Sequence, residues 1–535
     1  MFHLKLLLSD CMKAPHIFAK SIVWENSKLD LFPHDVVRVN VFRMEQDYCI
    51  VIREECASAP AFMRKADEAW REGRIVVCSD FTPIYEAFHD YPGEIFLIET
   101  ASGAHGCCVR ICAGARGICP VYFSVSQGSL DMSWDFGTVV KTRSAPSVDM
   151  QYLLRSLHQN FYSSQTAFQH VTMLPRNGIL QWDGNSIHLS SIEDMLDVET
   201  CATDTGETPH AAFSSLLETE LETRLHPHNE IALELSGGID SGIVAAFMGQ
   251  KGGADLMSLG IIVNDERLSG SQQKRREHIV SRYRLMDFTA SIGDYLPDFT
   301  LQRSDLDYGL PAPELQIKAF APLWHHARDN GRKYIYAGLG GDELFPCYPE
   351  DPVPDFMMAS IGGIPPFNEL QDFFLSCLTQ KGRELALDEM PVIPTDPADV
   401  SSLIGMQRHS PLAMRAGLWP VYPLASPALR QFCHALPFHL RRGKRLAVDI
   451  LGSLLADATV FDGYPKENFS AALHAGIVQH QERLKQSLRS SPLVDLGIVD
   501  PARMEKNLAF CVLPENAFYS GHLGIFFYLD RFLRS

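Results

Sequence analysis

The sequence predicts a chain of two parts, an α+β sandwich domain followed by an α/β domain built on a parallel sheet. In residues 91–190, short β-rich runs bounded by glycine recur, which is typical of a β sandwich. Beyond them, two apolar runs each end in a glycine-rich turn, at residues 231–238 and 333–341. A parallel strand followed by such a turn places the turn at the carboxyl end of the sheet. With 535 residues, the chain is long enough for two domains.

A polar segment separates the two parts. Residues 201–209 read Cys-Ala-Thr-Asp-Thr-Gly-Glu-Thr-Pro, a turn-rich composition that is typical of a linker. An amphipathic helix is predicted at residues 211–225, directly before the first strand of the second part. We therefore expect one domain at residues 1–200 and another at residues 207–535.

The composition narrows the class of protein. Hydrophobic residues make up 46% and charged residues 21% of the chain, as in soluble globular proteins. The 47 basic and 65 acidic residues give a net charge of −18, which argues against nucleic acid as the partner. The apolar residues 2–8 include His3 and Lys5 and are too few for a signal or a membrane-spanning segment. We expect a cytoplasmic protein without membrane insertion.

Neither the cysteines nor the histidines predict a disulfide framework or a metal site. The thirteen cysteines are an odd number, and the cluster at residues 107–119 lacks the spacing of zinc ligands. Free thiols in a reducing compartment are the better interpretation. His226 and His228, like His325 and His326, lack a third ligand nearby. They are expected to be exposed loop or helix residues.

The first glycine-rich turn has the chemistry of a polyphosphate site. It lies between an apolar strand and an apolar helix and reads Leu235-Ser236-Gly237-Gly238-Ile239-Asp240-Ser241. Backbone N–H groups at a helix N-terminus attract anions, and paired glycines allow close approach. The two serines add hydroxyl donors, and Asp240 adds a hard oxygen ligand suited to Mg²⁺. No Gly-Lys-Ser/Thr follows, so this is not a Walker loop.

The second glycine-rich turn supplies another carboxylate. Residues 333–337 predict a buried strand, and residues 338–345 continue as Gly-Leu-Gly-Gly-Asp-Glu-Leu-Phe. Because ligands of open α/β sheets lie outside the carboxyl ends of the strands, both turns are expected to face one ligand. Asp240 and Asp342 are then the predicted ligands of a Mg²⁺ ion that bridges phosphates.

Both turns resemble motifs of one superfamily. Ser-Gly-Gly-x-Asp-Ser is similar to the pyrophosphate loop of the N-type ATP pyrophosphatases, which cleave ATP to AMP and pyrophosphate. Gly-x-Gly-Gly-Asp-Glu-Leu-Phe resembles the synthetase domain of the asparagine synthetase superfamily. Further segments fit that domain, at residues 258–261, 423–424, 443–444 and 464–470. The resemblance covers residues 207–480 and implies a sheet of the adenine nucleotide α-hydrolase type, with ATP and Mg²⁺ as cofactors.

The resemblance also implies roles for individual residues. Lys466, in Tyr-Pro-Lys-Glu-Asn-Phe-Ser, matches the lysine that contacts the reacting phosphate and carbonyl. Attack of a carboxylate on the α-phosphate builds negative charge, which a fixed ammonium stabilises. Leu259 matches an apolar residue that lines the adenine. The implied ATP-binding residues are Leu235, Ser236, Gly237, Gly238, Asp240, Ser241, Leu259, Gly338 and Lys444.

The amino-terminal third resembles the glutaminase half of asparagine synthetases, an Ntn-type sandwich. The similar segments are residues 131–133, 166–171 and 174–178. That half works with a cysteine at position 1, whose own amino group serves as the base. Here Phe2 follows Met1 and its bulk disfavours removal of the methionine, while Cys11 is expected to be a buried apolar residue. The domain is therefore predicted to make no ammonia, so that the nucleophile is another amine.

Three branches of the superfamily remain open. Asparagine synthetases need ammonia and usually carry Glu where this chain has Leu339, while β-lactam-forming members carry a tyrosine of a proton-accepting dyad there. Lasso-peptide cyclases resemble this chain in length, in an inert glutaminase-like half and in tolerating other residues at that position. Their N-terminal amine, with a pKa of about 8, is partly free base near neutral pH. His409 is a candidate proton acceptor, but a loop histidine without a role is the favoured interpretation.

These arguments predict an ATP-dependent carbon–nitrogen ligase that forms AMP. The expected reaction is macrolactam closure in a ribosomal precursor peptide, in which the N-terminal amine attacks an adenylated Asp or Glu side chain. A leader-peptide protease is the expected partner, and residues 346–366 are expected to shape the substrate pocket. Asparagine synthetase-like or β-lactam synthetase-like amide formation on a small molecule is the alternative. An inactive peptide-binding scaffold is a remote alternative, because the phosphate loop is intact.

Overall fold

The computed structural model describes most of the chain. The described residues are 1–32, 36–103, 106–126, 128–142, 147–158, 162–191, 208–224, 226–299, 314–345, 367–387, 400–464 and 467–534. Most of the predicted linker, the segment 346–366 and Lys466 lie outside them. The predicted boundary between the two domains therefore stays a prediction.

The amino-terminal part is a sandwich of two sheets. Its strands are β1 Phe2–Leu7, β2 His16–Phe18, β3 Ser21–Val23, β4 Lys28–Leu31, β5 Val37–Met44, β6 Asp47–Glu54, β7 Val76–Val77, β8 Ile95–Gly103, β9 Gly106–Ala113, β10 Val121–Ser126, β11 Ser129–Ser133, β12 Thr172–Leu174, β13 Gly178–Trp182 and β14 Ile187–Ser191. The sheet orders are β12-β10-β11-β1-β4-β3-β2 and β14-β13-β9-β8-β6-β5-β7. The strands β5 and β7 pair in parallel, and the other neighbours are antiparallel.

Apolar side chains on the inner faces of both sheets form the core of the sandwich. Strand residues alternate between the two faces of a sheet, so every second residue of β1 points inward. The ring of Phe2 in β1 packs edge to face on that of Phe96 in β8, with 5.6 Å between their centroids. Cys11 is buried in the same core, as predicted.

The carboxyl-terminal part is built around a parallel sheet. Its strands are β15 Ile231–Glu234, β16 Met257–Ile262, β17 Met286–Ser291, β18 Tyr334–Tyr336 and β19 Trp419–Val421. Their order is β17-β16-β15-β18-β19, and each pair of neighbours runs parallel. The apolar run at residues 231–233 and the strand predicted at residues 333–337 correspond to β15 and β18, and the segment 258–261 lies within β16.

Helices cover both parts of the molecule. Those of the sandwich are α1 Ala61–Arg71, α2 Thr82–His89, α3 Phe136–Val140 and α4 Met150–His158. Those that follow are α5 Pro209–Glu222, α6 Ile239–Gly252, α7 Glu266–Tyr283, α8 Ile317–Asp329, α9 Gly341–Leu344, α10 Phe367–Ser376, α11 Gln380–Leu387, α12 Val400–Arg415, α13 Pro427–Ala435, α14 Phe438–Arg441, α15 Arg445–Leu455, α16 Ser470–Leu488, α17 Pro492–Asp495, α18 Pro501–Cys511 and α19 Ser520–Arg534.

Successive side chains of β15 point to opposite faces of the parallel sheet and show which helices cover each face. Ala232 shares its apolar cluster with α8 and α12, whereas Leu233 shares one with α6 and α15. The last helix packs elsewhere: the ring of Phe532 in α19 lies 5.6 Å from that of Phe168, in a cluster with α3 and α4. The carboxyl-terminal helices thus cover an outer face of the sandwich.

Buried charges join the two parts. Arg224, between α5 and β15, donates to Glu54 at 2.7 Å and to Glu220 at 2.6 Å. Arg116 donates to Glu220 through two hydrogen bonds of 2.9 and 2.8 Å. Removing one member of such a buried pair typically costs about 3–5 kcal/mol, because a charge is left without compensation. The network therefore holds the sandwich against the parallel sheet.

His226 is not the exposed residue that the sequence predicts. Its ring stacks on that of Tyr334 in β18 with 3.3 Å between centroids, and its Nδ1 lies 3.1 Å from the hydroxyl of Tyr336. Burial, with Arg224 nearby, lowers the pKa of the imidazole to about 3, so the ring is neutral. Pro227 suggests a loop, but the residue before it packs against the neighbouring strand.

Three global properties of the described residues bear on function. None of the helices there is long and apolar enough to span a membrane. The cysteines within these ranges are free thiols. The same residues contain no group of three or more His, Cys, Asp or Glu side chains that would hold a metal ion by itself.

Candidate active site

The sheet order brings the two glycine-rich turns together. The chain leaves β15 for β16 on one side, and β18 pairs on the other side of β15. Such a reversal of strand order opens a crevice at the carboxyl ends of the two central strands, where α/β proteins bind their ligands. Residues 235–238 follow β15 and residues 337–340 follow β18, so both turns face this crevice.

A glycine and two serines fix the conformation of the first turn. Gly237 has a φ of 92°, a left-handed conformation that favours glycine. The Ser236 backbone N–H donates to Ser241 Oγ at 3.1 Å, and the Gly238 N–H donates to Ser236 Oγ at 3.2 Å. The helix α6 then begins with Asp240 in its first turn, without a side-chain cap at Gly238. This end of the helix is a site that favours anions.

Two residues of α7 support this turn from behind. The Gln272 side-chain amide donates to the Ser236 carbonyl at 2.8 Å and to the Ile261 carbonyl at 3.0 Å. Arg275 Nε donates to the Gly237 carbonyl at 2.9 Å and also pairs with Glu467. The conformation of the turn is therefore fixed by contacts outside its own motif.

The second turn approaches the first at glycine positions. Gly340 has a φ of 103°, which again favours glycine. A Cβ on Gly338 would lie 2.5 Å from the backbone nitrogen of Ser241, and one on Gly341 would lie 2.3 Å from Asp240 Cγ. Only glycine lets the two turns pack this closely.

Lys444 joins the two predicted metal ligands. Its ammonium pairs with Asp240 and lies 2.7 Å from Asp342 Oδ1. Gly443 and Lys444 have φ values of 61° and 58°, a left-handed bend that turns the lysine into the site. Although burial opposes its charge, the two carboxylates hold the pKa of Lys444 above its ordinary value. Because both carboxylates contact one ammonium, they converge on one point.

The turns line a cleft of about 480 Å³. Among the predicted ATP-binding and metal residues, those that line it are Leu235, Ser236, Gly238, Asp240, Ser241, Leu259, Gly338 and Asp342. Gly237 and Lys444 are not among the lining residues but support those that are. Lys466 lies outside the described residues, while its neighbours Tyr464 and Glu467 line the cleft.

The carboxylates and backbone N–H groups at this point fit a magnesium nucleotide. Mg²⁺ is usually held by one or two carboxylates together with substrate phosphates and water, rather than by a complete protein cage. Asp240 and Asp342 supply two carboxylates at one point, beside the anion-favouring start of α6. The close packing at Gly341 keeps the Asp240 carboxylate against the second turn.

Sequence reasoning missed several residues of the cleft and placed one of them wrongly. His409 belongs to helix α12 and not to a loop, and it lines the cleft together with Glu234 and Tyr422. Glu234 could have been noticed as the last residue of β15, at the binding edge of the sheet. No local pattern identifies Gln272 or Arg275, because both act through contacts distant in the sequence.

One further carboxyl group in the cleft is perturbed. Burial raises the pKa of Glu343 to about 7, and the adjacent Asp342 carboxylate acts in the same direction. Near neutral pH this side chain is therefore partly protonated, unlike an exposed glutamate.

Replacing Gly341 by alanine tests the close approach of the two turns. The new Cβ would force Asp240 out of its position. We expect ATP–pyrophosphate exchange to fall about 10²-fold, since misplacement of a reacting group by 1 Å has effects of this size. Gly270→Ala in α7 is the matched control, because a Cβ there meets nothing within 4 Å. Exchange at the wild-type rate in Gly341→Ala would show that the packing is irrelevant.

Comparison with known proteins agrees with this geometry. Residues 212–357 match the family model described as asparagine synthase. The matched range contains both glycine-rich turns and the strands β15 to β18. No curated protein matches the chain. The chain therefore carries a domain of the asparagine synthetase superfamily, whose members form amides with ATP, typically together with Mg²⁺.

Proposed function

We propose that the protein is an AMP-forming carbon–nitrogen ligase that closes a macrolactam ring in a ribosomal precursor peptide. The observation that carries the ligase chemistry is the convergence of Asp240 and Asp342 on Lys444 between the two turns. A magnesium ion held there would neutralise the phosphate charge as a substrate carboxylate attacks the α-phosphorus. Pyrophosphate then leaves, and an amine displaces AMP from the acyl group.

The cleft is large enough for a nucleotide. Its volume of about 480 Å³ lies within the roughly 300–1,000 Å³ of a pocket for one small molecule. The turn residues line one part of it, and Phe320, Leu339 and Gly405 line another part. We therefore propose that the nucleotide lies beside the turns and that the substrate acid enters beside these other residues.

The charge of the residues that line the cleft supports an amine as the nucleophile. The described lining residues contain no Lys or Arg, and Glu234 and Glu314 line the cleft in addition to the carboxylates that pair with Lys444 or Arg275. Such a lining attracts an amine in its protonated form. The N-terminal amine of a peptide suits this environment, and a protease that removes a leader peptide would expose it. We propose such a protease as the partner.

The amino-terminal sandwich is proposed to be an Ntn-type domain that supplies no ammonia. Cys11 is buried in its core, so the thiol is not presented to a substrate. Lys466 keeps the role that its motif implies, stabilisation of charge at the reacting phosphate. The carboxyl-terminal sheet, with its order β17-β16-β15-β18-β19, is proposed to be of the adenine nucleotide α-hydrolase type.

A panel of synthetic peptides tests this function. Each peptide has a free N-terminal amine and one Asp or Glu, placed at a different position in each member. With ATP and Mg²⁺, we expect at least one member to lose the mass of one water while AMP and pyrophosphate form. Acetylation of its N-terminus is the control and should leave exchange intact but prevent the mass loss. If no member changes mass or supports exchange, the peptide assignment is wrong.

A further inference from the structure

Three residues at the carboxyl edge of the sheet lie in one row. Glu234 ends β15, Ala337 follows β18 and Tyr422 follows β19. The pairs directly before them are Leu233 with Tyr336 and Tyr336 with Val421. Residues of one row in a parallel sheet point to the same face, here the face covered by α8 and α12.

The small middle residue of this row leaves room for a histidine. Neighbouring strands are about 4.8 Å apart, so Glu234 and Tyr422 stand on the order of 10 Å from each other. Ala337 between them has only a methyl group. His409 of α12 occupies this gap and reaches both neighbours.

The hydrogen bonds define the protonation of this histidine. His409 Nε2 lies 3.1 Å from Glu234 Oε1, which also accepts from Trp324 Nε1 at 2.9 Å. A carboxylate only accepts, so Nε2 of His409 carries the hydrogen. Nδ1 of the neutral ring is then the acceptor that lies 3.0 Å from the Tyr422 hydroxyl. The order carboxylate, imidazole, hydroxyl is that of a nucleophile-activating triad.

The surroundings favour proton transfer along this line. His409, Glu234 and Tyr422 all line the cleft beside Gly338 and Leu339. Ser410 Oγ lies 3.0 Å from the Tyr422 hydroxyl. Because that hydroxyl donates to His409, it accepts from Ser410 and keeps a second lone pair for the amine. Although burial opposes the charged imidazolium, Glu234 raises the pKa of His409, with Glu314 acting in the same direction.

We propose that Tyr422, backed by His409 and Glu234, accepts the proton of the amine that attacks the acyl-adenylate. This inference rests on the proposed function and supplies the proton acceptor that position 339 cannot, because Leu339 is apolar. Tyr422 is the catalytic residue of the three, His409 receives its proton, and Glu234 is a positioning residue.

Amide formation releases AMP and one proton. The amine nitrogen bonds to the acyl carbon, and the bond from that carbon to the AMP oxygen breaks, with the electron pair leaving on AMP. One proton passes from the nitrogen to the Tyr422 oxygen as the hydroxyl proton of Tyr422 passes to His409 Nδ1. The resulting imidazolium is paired with the Glu234 carboxylate until the proton is released to water.

Separate measurement of the two half-reactions tests this assignment. The probe is the panel peptide that supports ATP–pyrophosphate exchange in the wild type. In Tyr422→Phe and His409→Gln, we expect ring closure to slow about 10²–10⁴-fold, the usual range for general base catalysis. Exchange should stay close to wild type, since adenylation involves no amine. Tyr295→Phe and His325→Gln are the matched controls: they make the same changes at side chains that are not among those lining the cleft and should leave both rates unchanged.

Trapping of the acyl-adenylate by hydroxylamine distinguishes a catalytic role of Tyr422 from a structural one. It is largely unprotonated at neutral pH, so it should trap the acyl-adenylate as a hydroxamate equally fast in the wild type and in Tyr422→Phe. Ring closure at the wild-type rate in both variants would overturn this inference and leave the ligase function standing. Loss of exchange in both variants would also overturn it, by assigning the residues to adenylation or folding. Absence of exchange in the wild type would overturn both proposals.

Discussion

We expect Asp240→Asn to abolish ATP–pyrophosphate exchange, and Asp342→Asn to do the same. Each substitution keeps the shape of the side chain but removes the negative charge that would face the metal ion. Magnesium coordination stabilises the transition state by several kcal/mol, so we expect exchange to fall by about 10³-fold or more. Peptide-dependent exchange of labelled pyrophosphate into ATP measures the effect.

The control for this pair is a carboxylate away from the cleft. Asp329, at the end of α8, is 63% exposed in its side chain and pairs with the adjacent Arg328. Asp329→Asn should exchange at the wild-type rate. If either Asp240→Asn or Asp342→Asn kept exchange within about tenfold of wild type, that carboxylate would not hold a catalytic metal.

Lys444→Met has the second largest expected effect. Its side chain is 9% exposed, and its ammonium contacts both Asp240 and Asp342, so it is the counter-ion of both carboxylates. Without it, the two carboxylates repel each other, and one cation near the phosphates is lost. We expect kcat/KM for ATP to fall about 10²–10³-fold, as for removal of a preorganised group that stabilises transition-state charge.

Arginine should not restore activity at this position. The lysine end is compact and buried, whereas the guanidinium is planar and wider. Exchange kinetics with varied ATP measure the effect in Lys444→Met and Lys444→Arg. Lys485→Met is the control, since Lys485 pairs with Glu482 on the exposed side of α16. A wild-type kcat/KM in Lys444→Met would remove this residue from the nucleotide site.

Local motifs account for what could be predicted from the sequence. The strand, turn and helix around Asp240 need only an apolar run, two glycines and an apolar helix, all within some twenty residues. The second turn follows the same rule after β18. The convergence of the two turns follows from strand order, which the rule for open α/β sheets makes predictable.

Contacts distant in the sequence account for what was missed. Lys444 reaches Asp240 across 204 positions and Arg275 reaches Glu467 across 192, and neither pairing leaves a periodic signal. The sequence favours a loop for His409, but Pro411 removes only one helical hydrogen bond and α12 continues through it. The role of Ala337 depends on the register of three strands.

The most direct test follows one oxygen atom. A peptide accepted by the protein is prepared with heavy oxygen in its single side-chain carboxylate and is allowed to react with unlabelled ATP. Because the carboxylate attacks the α-phosphorus and AMP leaves with the bridging oxygen, mass spectrometry should find one heavy oxygen in each AMP formed. Unlabelled AMP, or ADP in place of AMP, would contradict the claim that the two turns present a magnesium nucleotide to a substrate acid.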